Sequence, residues 1–357
     1  MKALIAAGGH GTRLRPITFT LNKHLIPIAN KPMIFHALDK MAEAGIKEVG
    51  INVNPGDTSI SKACGNGEDF GLNITYIEQS GGPLGLAHII KNAESFIGDE
   101  DFIFYLGDNI ILGSIKPFIK KFKDEKADCL LALSRVEDPE RFGVPDIDEK
   151  GNIIGVEEKP KRPKSPYAVT GIYIYNKSIF DAVKKLKPSA RGELEISDAH
   201  QYLIDHGYKV TFVEITGWWK DTGKPDDLIQ GNQLLLNDIT STQEGAIVDE
   251  HVQIQGKVSI AKGAKILGRS YIRGPVMIGP CAVIRDSYIG PFTSVGGRVE
   301  ISGGEIENSI VFDDADISCK RKIVDSLLGK NCTITDAHAT LPSGNRLIVG
   351  ENSIVEL

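Results

Sequence analysis

From Val248 to Ile284 the chain repeats itself every six residues. Val248, Ile254, Ile260, Ile266, Ile272, Ile278 and Ile284 are evenly spaced, and two places before the last six stand Val252, Val258, Ala264, Ser270, Val276 and Ala282. A hexapeptide repeat with a small residue at a fixed offset predicts a parallel β-helix, each short strand forming one side of a triangular coil. The phase slips after Ile284, resumes at Ile289, Val295 and Ile301, and again at Val311, Ile317 and Ile323, so the coil takes insertions. Ile348 and Ile354 keep the spacing towards the end. Chance clustering of isoleucine in a β-sandwich is the competing reading, and it leaves the second matched series unexplained.

The first two thirds read differently. "KALIAA", "EVGINVN", "DFIFYLGD" and "CLLALSRV" are short apolar strands, alternating with helical stretches such as "KPMIFHALDKMAEAG" and "SIKPFIKKFKDEKA". That order predicts an α/β domain, a Rossmann-like, mostly parallel sheet with flanking helices. In the first helix Pro32 falls near the start and Gly45 supplies the stop. The polar, aperiodic "NDITSTQEG" is the natural linker, giving domains at 1–240 and 245–357.

Composition narrows the function classes. A net charge of −6 gives no general attraction to nucleic acid or anionic membrane, so an anionic ligand needs a locally basic pocket. The five cysteines have no zinc-type spacing, and no apolar run reaches the length of a membrane span. A cytoplasmic, soluble protein is expected.

The run "AAGGHGTRLRP" leaves the first strand. Gly8, Gly9 and Gly11 allow close backbone approach to an anion, while Arg13 and Arg15 add positive charge. Leu14 stands where a dinucleotide fingerprint needs its third glycine, and no Gly-Lys-Ser/Thr follows, so neither a Rossmann fingerprint nor a P-loop fits. Taken alone, the run could still be a strand-to-helix turn with solvated arginines. Asp108 in "FIFYLGDNII" lies past a strand's C-terminal end, where parallel sheets place ligands, although it could equally cap a helix. Glu158-Lys159-Pro160 could be a charged turn, Asp221 another helix cap, Asp226 and Asp227 solvated, and Phe142 core.

Read further, G-G-x-G-T-R-L-x-P-x-T followed by K-x-L-x-P and K-P-M resembles the signature of sugar-1-phosphate nucleotidylyltransferases, and the β-helix extends the likeness to their long glucose-1-phosphate thymidylyltransferase type, whose coil is left-handed. The resemblance implies a triphosphate cradle at Gly8, Gly9 and Gly11, with Arg13 and Lys23 as catalytic cations on the phosphates. It assigns Mg²⁺ to Asp108 and Asp221, with Asp108 also in the nucleotide site. Gly143, Glu158, Lys159, Val169, Gly171 and Arg191 fall on the sugar-phosphate segment, Lys159 among the catalytic residues. Gln79 and Gly85 match the base-reading loop, although this chain has one extra residue before Pro83. His24 stands where shorter relatives often carry glutamine, and His10 is at a variable position.

What the resemblance implies is in-line attack of a sugar 1-phosphate on the α-phosphorus of dTTP or UTP, yielding dTDP-glucose or UDP-glucose and pyrophosphate. No side-chain nucleophile is needed, because the attacking oxygen is already anionic. The partners are these small molecules and, through the β-helix, further copies of the chain; neither nucleic acid nor membrane is expected. The alternatives are another nucleotide sugar (UDP-N-acetylglucosamine, for example), a non-catalytic regulatory relative, and an acyltransferase of the hexapeptide kind. That last chemistry needs a histidine base, for which the repeat region offers only His251 and His338, neither in a matching motif.

Overall fold

The computed structural model describes residues 1–82, 84–336 and 347–356. By contact the chain forms two compact units, Met1–His10 with Met33–Asp221, and Gly11–Pro32 with Thr222–Leu357.

In the first unit, Lys2–Ala6 (β1), Glu48–Val53 (β2), Asn73–Glu78 (β3) and Phe102–Leu106 (β4) pair in parallel in the order β3-β2-β1-β4. Ala3, Leu4 and Ile5 of β1 are fully buried, the unbroken apolar run of a strand covered on both faces. Beyond β4 the sheet changes direction. Asn109–Ile111 (β5) leaves it, and the main sheet continues with Cys129–Arg135 (β6), Gly143–Ile147 (β7), Ile153–Glu158 (β8), Tyr167–Tyr175 (β9) and Val210–Glu214 (β10). β9 is antiparallel to β4, β6 and β7, so the nine-stranded sheet is mixed, with one parallel block on the β1 side and a second parallel pair, β10 on β6, beyond β9. The first helix begins at Met33, and Pro32 instead closes a two-residue antiparallel ribbon, Lys31–Pro32 on Pro27–Ile28. Gly45 ends that helix with φ 79°.

The second unit contains the left-handed parallel β-helix. Its three sheets have six, five and five strands among the described residues, every pair parallel. Ile266 stacks on Ile284 and Ile284 on Ile301, all fully buried, so each turn of chain adds one isoleucine to a continuous column. Coil length shortens from eighteen residues (Ile266 to Ile284) to sixteen (Ile301 to Ile317), which is the phase slip seen in the sequence. Ile306, five places after Ile301, is a buried column member that strict counting misses. Ile348 and Ile354 keep the spacing but lie outside any strand, 85% and 82% exposed.

Also in this unit, the helix Pro225–Asn237 anchors on a coil: Asn232 Nδ2 donates to Phe292 O at 2.9 Å, and Gln233 Nε2 to Asn308 Oδ1 at 2.8 Å. Asn232 Oδ1 accepts from Ala29 N, and Asn30 Nδ2 donates to Val295 O, each at 2.8 Å, tying the Gly11–Pro32 segment to the same coil. Asp227 is buried rather than solvated. Among the described residues no helix is long and apolar enough to cross a membrane.

In the first unit, His200 is fully buried on the helix Ile196–Asp205, its Nε2 2.7 Å from the Tyr175 hydroxyl. Burial pushes its pKa from 6.5 down to about 3. Between those values the unfolded chain takes up a proton that the folded chain refuses, so stability falls as pH falls below 6.5. Going from pH 7 to pH 5 should cost about 2 kcal/mol through this residue. In urea unfolding, His200→Gln should lose less stability over that interval; an unchanged acid slope would show that His200 does not govern it.

Candidate active site

Five of the six residues of the expected sugar-phosphate segment meet in the first unit. Gly143 and Glu158 are cross-strand partners, and Val169 pairs with Gly143 from β9. A Cβ on Gly143 would lie 2.7 Å from Ser197 Oγ, so only glycine leaves that hydroxyl in place. Ser197 Oγ in turn donates to Glu158 Oε2 at 2.7 Å. The other oxygen, Oε1, faces cations, with Lys159 Nζ at 3.7 Å and Arg191 Nη2 at 3.4 Å. Arg191 is held from behind by Glu195, through Nε at 3.1 Å and Nη2 at 2.7 Å, a fork that raises its pKa further above the ordinary arginine value. Lys159 has φ 46°, a left-handed conformation that costs a side-chain-bearing residue about 1–3 kcal/mol and is retained where surroundings over-determine it. Gly171, the sixth, lies two residues along β9 from Val169.

Gly171 leads to the carboxylates. Asp108 lies two residues beyond β4, and β5 pairs antiparallel with Trp219–Asp221 (β11), which sets Asp221 opposite Asn109. Asn109, 1% exposed, is the joint: its Nδ2 donates to Asp108 Oδ1 at 3.0 Å, while its Oδ1 accepts from Trp219 Nε1 and from Gly171 N. Phe142, half-buried, packs edge-on against Trp219 at 5.5 Å. Among the described residues no group of three or more His, Cys, Asp or Glu could hold a metal alone. Two hard carboxylates fit a divalent ion that completes its shell from phosphate oxygens and water.

At the glycine run the reasons differ from residue to residue. Gly8 is not in a left-handed conformation; a Cβ there would crowd Asn54 Oδ1, Asn52 Oδ1 and Gln79 Oε1 at 3.1–3.3 Å. Gly9 is exposed. In the second unit Gly11 has φ 59°, and its Cβ would strike Thr18 at 2.9 Å and Lys23 at 3.0 Å. Lys23 is buried against it. The Arg13 guanidinium lies over Gly223, where a Cβ would be 2.8 Å from Nη2. Arg15 covers the Phe19 ring at 4.8 Å, a cation–π contact. In the base-loop segment Gln79 is buried, and Gly85 (φ 97°) fits against Leu194, whose carbonyl oxygen would be 2.6 Å from a Cβ; Pro83 lies outside the described residues. On the coil, His251 is exposed beside Glu250, and His338 lies outside the described residues.

Sequence reasoning missed Asn109, Ser197 and Gly223. Each sits within two residues of a predicted site residue or acidic neighbour, but its partner is remote in sequence.

The Nucleotidyl transferase profile matches residues 2–238. The chain belongs to the nucleotidyl transferase family. It is 45% identical to a Streptomyces antibioticus glucose-1-phosphate thymidylyltransferase, covering 100% of this chain and 99% of the relative. It is 44% identical to a Haloferax volcanii low-salt glycan biosynthesis nucleotidyltransferase, with 100% of both covered. A Bacillus anthracis structure assigned as a glucose-1-phosphate thymidylyltransferase, in complex with sucrose, aligns with TM-score 0.62 and 41% identity over 68% of this chain and 97% of its own. This nucleotidyltransferase is an enzyme of a family that generally uses a divalent metal.

Gly171→Ala is predicted to be destabilising, because the new methyl would sit 2.7 Å from Asn109 Nδ2 and from Leu106 Cδ1. Overpacking of this kind costs about 1–3 kcal/mol. Trp219 shares the Asn109 oxygen, so its fluorescence should shift as well; a variant with unaltered unfolding midpoint and emission would show the site yields without strain.

Proposed function

We propose that the enzyme transfers the thymidylyl group of dTTP, or the uridylyl group of UTP, to glucose 1-phosphate, releasing pyrophosphate. The observation that carries this reading is the end-to-end identity with the Streptomyces antibioticus enzyme. The assembled cluster of Gly143, Glu158, Lys159 and Arg191 supports it, since a carboxylate flanked by two cations suits a sugar bearing hydroxyls and a phosphate.

In this mechanism a phosphate oxygen of the sugar phosphate attacks the α-phosphorus as the bond to pyrophosphate breaks. Lys159 and Arg191 hold the attacking phosphate, and Glu158, fixed by Ser197, accepts from sugar hydroxyls. Gly8, Gly9 and Gly11 admit the triphosphate close to the backbone, while Arg13 and Lys23 offset the charge that builds on the leaving pyrophosphate. Gln79 and Gly85 read the base, with Val169 and Gly171 lining the sugar. Asp108 and Asp221 would hold Mg²⁺, which when bound neutralises phosphate charge. The 1–240 region carries the chemistry, and the β-helix serves self-association in the cytoplasm. Pyrophosphate release measured over a matrix of dTTP, UTP, CTP and ATP against hexose 1-phosphates tests the assignment; release confined to other sugars or to purines would replace it.

Arg13→Ala should lower kcat by about 2.7–4 kcal/mol of transition-state stabilisation while leaving the sugar-phosphate KM nearly constant. Gly223→Ala should reproduce a weaker form of the same defect, because its methyl displaces only the mobile end of Arg13. Near-normal turnover in Arg13→Ala would remove that residue from the mechanism.

A further inference from the structure

Gln79, which reads the base in the proposed scheme, is paired with a buried polar side chain that the scheme does not use, His88. Gln79 is 3% exposed and His88 9%, and Gln79 Nε2 lies 3.4 Å from His88 Nδ1. The opposite end of the same amide, Oε1, points to Gly8, 3.3 Å from where a Cβ would stand. A glutamine amide has two ends of nearly equal size and opposite hydrogen-bonding sense, so something beside it must decide which end faces the ligand.

We infer that His88 is a positioning residue for base selection: by accepting from Gln79 Nε2 at its Nδ1, it locks the amide in the sense that matches thymine or uracil and mismatches cytosine. The inference rests on the proposal that Gln79 reads the base. On their pairing edges thymine and uracil present the acceptor O4 beside the donor N3–H, whereas cytosine presents the donor N4–H beside the acceptor N3. An amide that spans two adjacent atoms fits the first pattern in one orientation and the second only when flipped. One Nε2–H is spent on His88; the other, with Oε1, remains for the base.

The environment supports a neutral imidazole with one nitrogen able to accept. Burial, then the positive charge of Lys91, holds His88 below its ordinary pKa. Its helix, Leu86–Asn92, starts directly after Gly85, whose fit against Leu194 fixes where that helix begins. Thus the loop expected to read the base and the residue that orients its glutamine are set by the same contact.

The test compares kcat/KM for dTTP and for CTP, with glucose 1-phosphate, in wild type, His88→Leu and His88→Asn. His88→Leu removes the acceptor and should reduce the dTTP over CTP preference by about tenfold, the worth of one net hydrogen bond, through the nucleotide KM rather than kcat and with the sugar-phosphate KM unchanged. His88→Asn places an acceptor near the former Nδ1 and should keep most of the preference. An unchanged ratio in His88→Leu, or an equal fall for both nucleotides, would overturn the inference. Independently of the leucine variant's folding, ¹⁵N-histidine spectra of the wild type, assigned by difference with His88→Asn, should show His88 protonated at Nε2 alone. A proton on Nδ1 would overturn it equally. Wild type inactive with dTTP and UTP yet active with another nucleotide would instead defeat the underlying assignment of substrate.

Discussion

One buried carboxamide holds the strand ends around Asp108 and Asp221 together. Asn109 meets Asp108, Trp219 and Gly171 with three hydrogen bonds, and each partner comes from a different stretch of chain. Burying an amide without partners is costly, so the three groups are confined to positions that satisfy it. The Asp108 carboxylate, the strand bearing Asp221 and the strand bearing Val169 thereby take fixed places relative to one another. The Tyr105 hydroxyl, donating to Asn109 O at 2.9 Å, fastens the joint to the sheet.

The β-helix solves a different problem with the same economy. Its apolar column supplies most of the driving force, but polar ladders fix the register between coils. Ser287 N donates to Ser270 Oγ and Gly304 N to Ser287 Oγ, one coil to the next. Aspartates satisfy corner amides in the same way, as Asp286 does for Arg269 N and Asp313 for Gly297 N. Corners also recruit residues such as Asp286, Asn308 and Asn331 in left-handed conformation, types that bear it best. A slip by one coil position would break both ladders together.

How much of this was legible follows from the range of the interactions involved. The repeat could be read because it is periodic over many coils, and it was lost where one coil omits a residue, at Ile306. The glycine run, the strand-end aspartate and the Glu158–Lys159 pair could be read because each is a local pattern. Their partners could not: nothing near Gly143 announces Ser197, and nothing near Arg13 announces Gly223. Gly8 shows the limit well, since its small size serves contact with three amide side chains, a need invisible in the sequence around it. The mixed sheet was hidden for the same reason, because strand direction after β4 depends on where β9 inserts.

The route of the chain has a consequence for how such enzymes can be modified. Residues Gly11–Pro32, which carry Arg13 and Lys23, belong to the same compact unit as the coils and are tied to them through Asn30 and Asn232. The β-helix is therefore a foundation for the segment Gly11–Pro32 and not a detachable tail. Exchanging it for another trimming of similar size, or removing it at the linker, would leave Arg13 and Lys23 in the sequence while taking away the floor on which their segment rests.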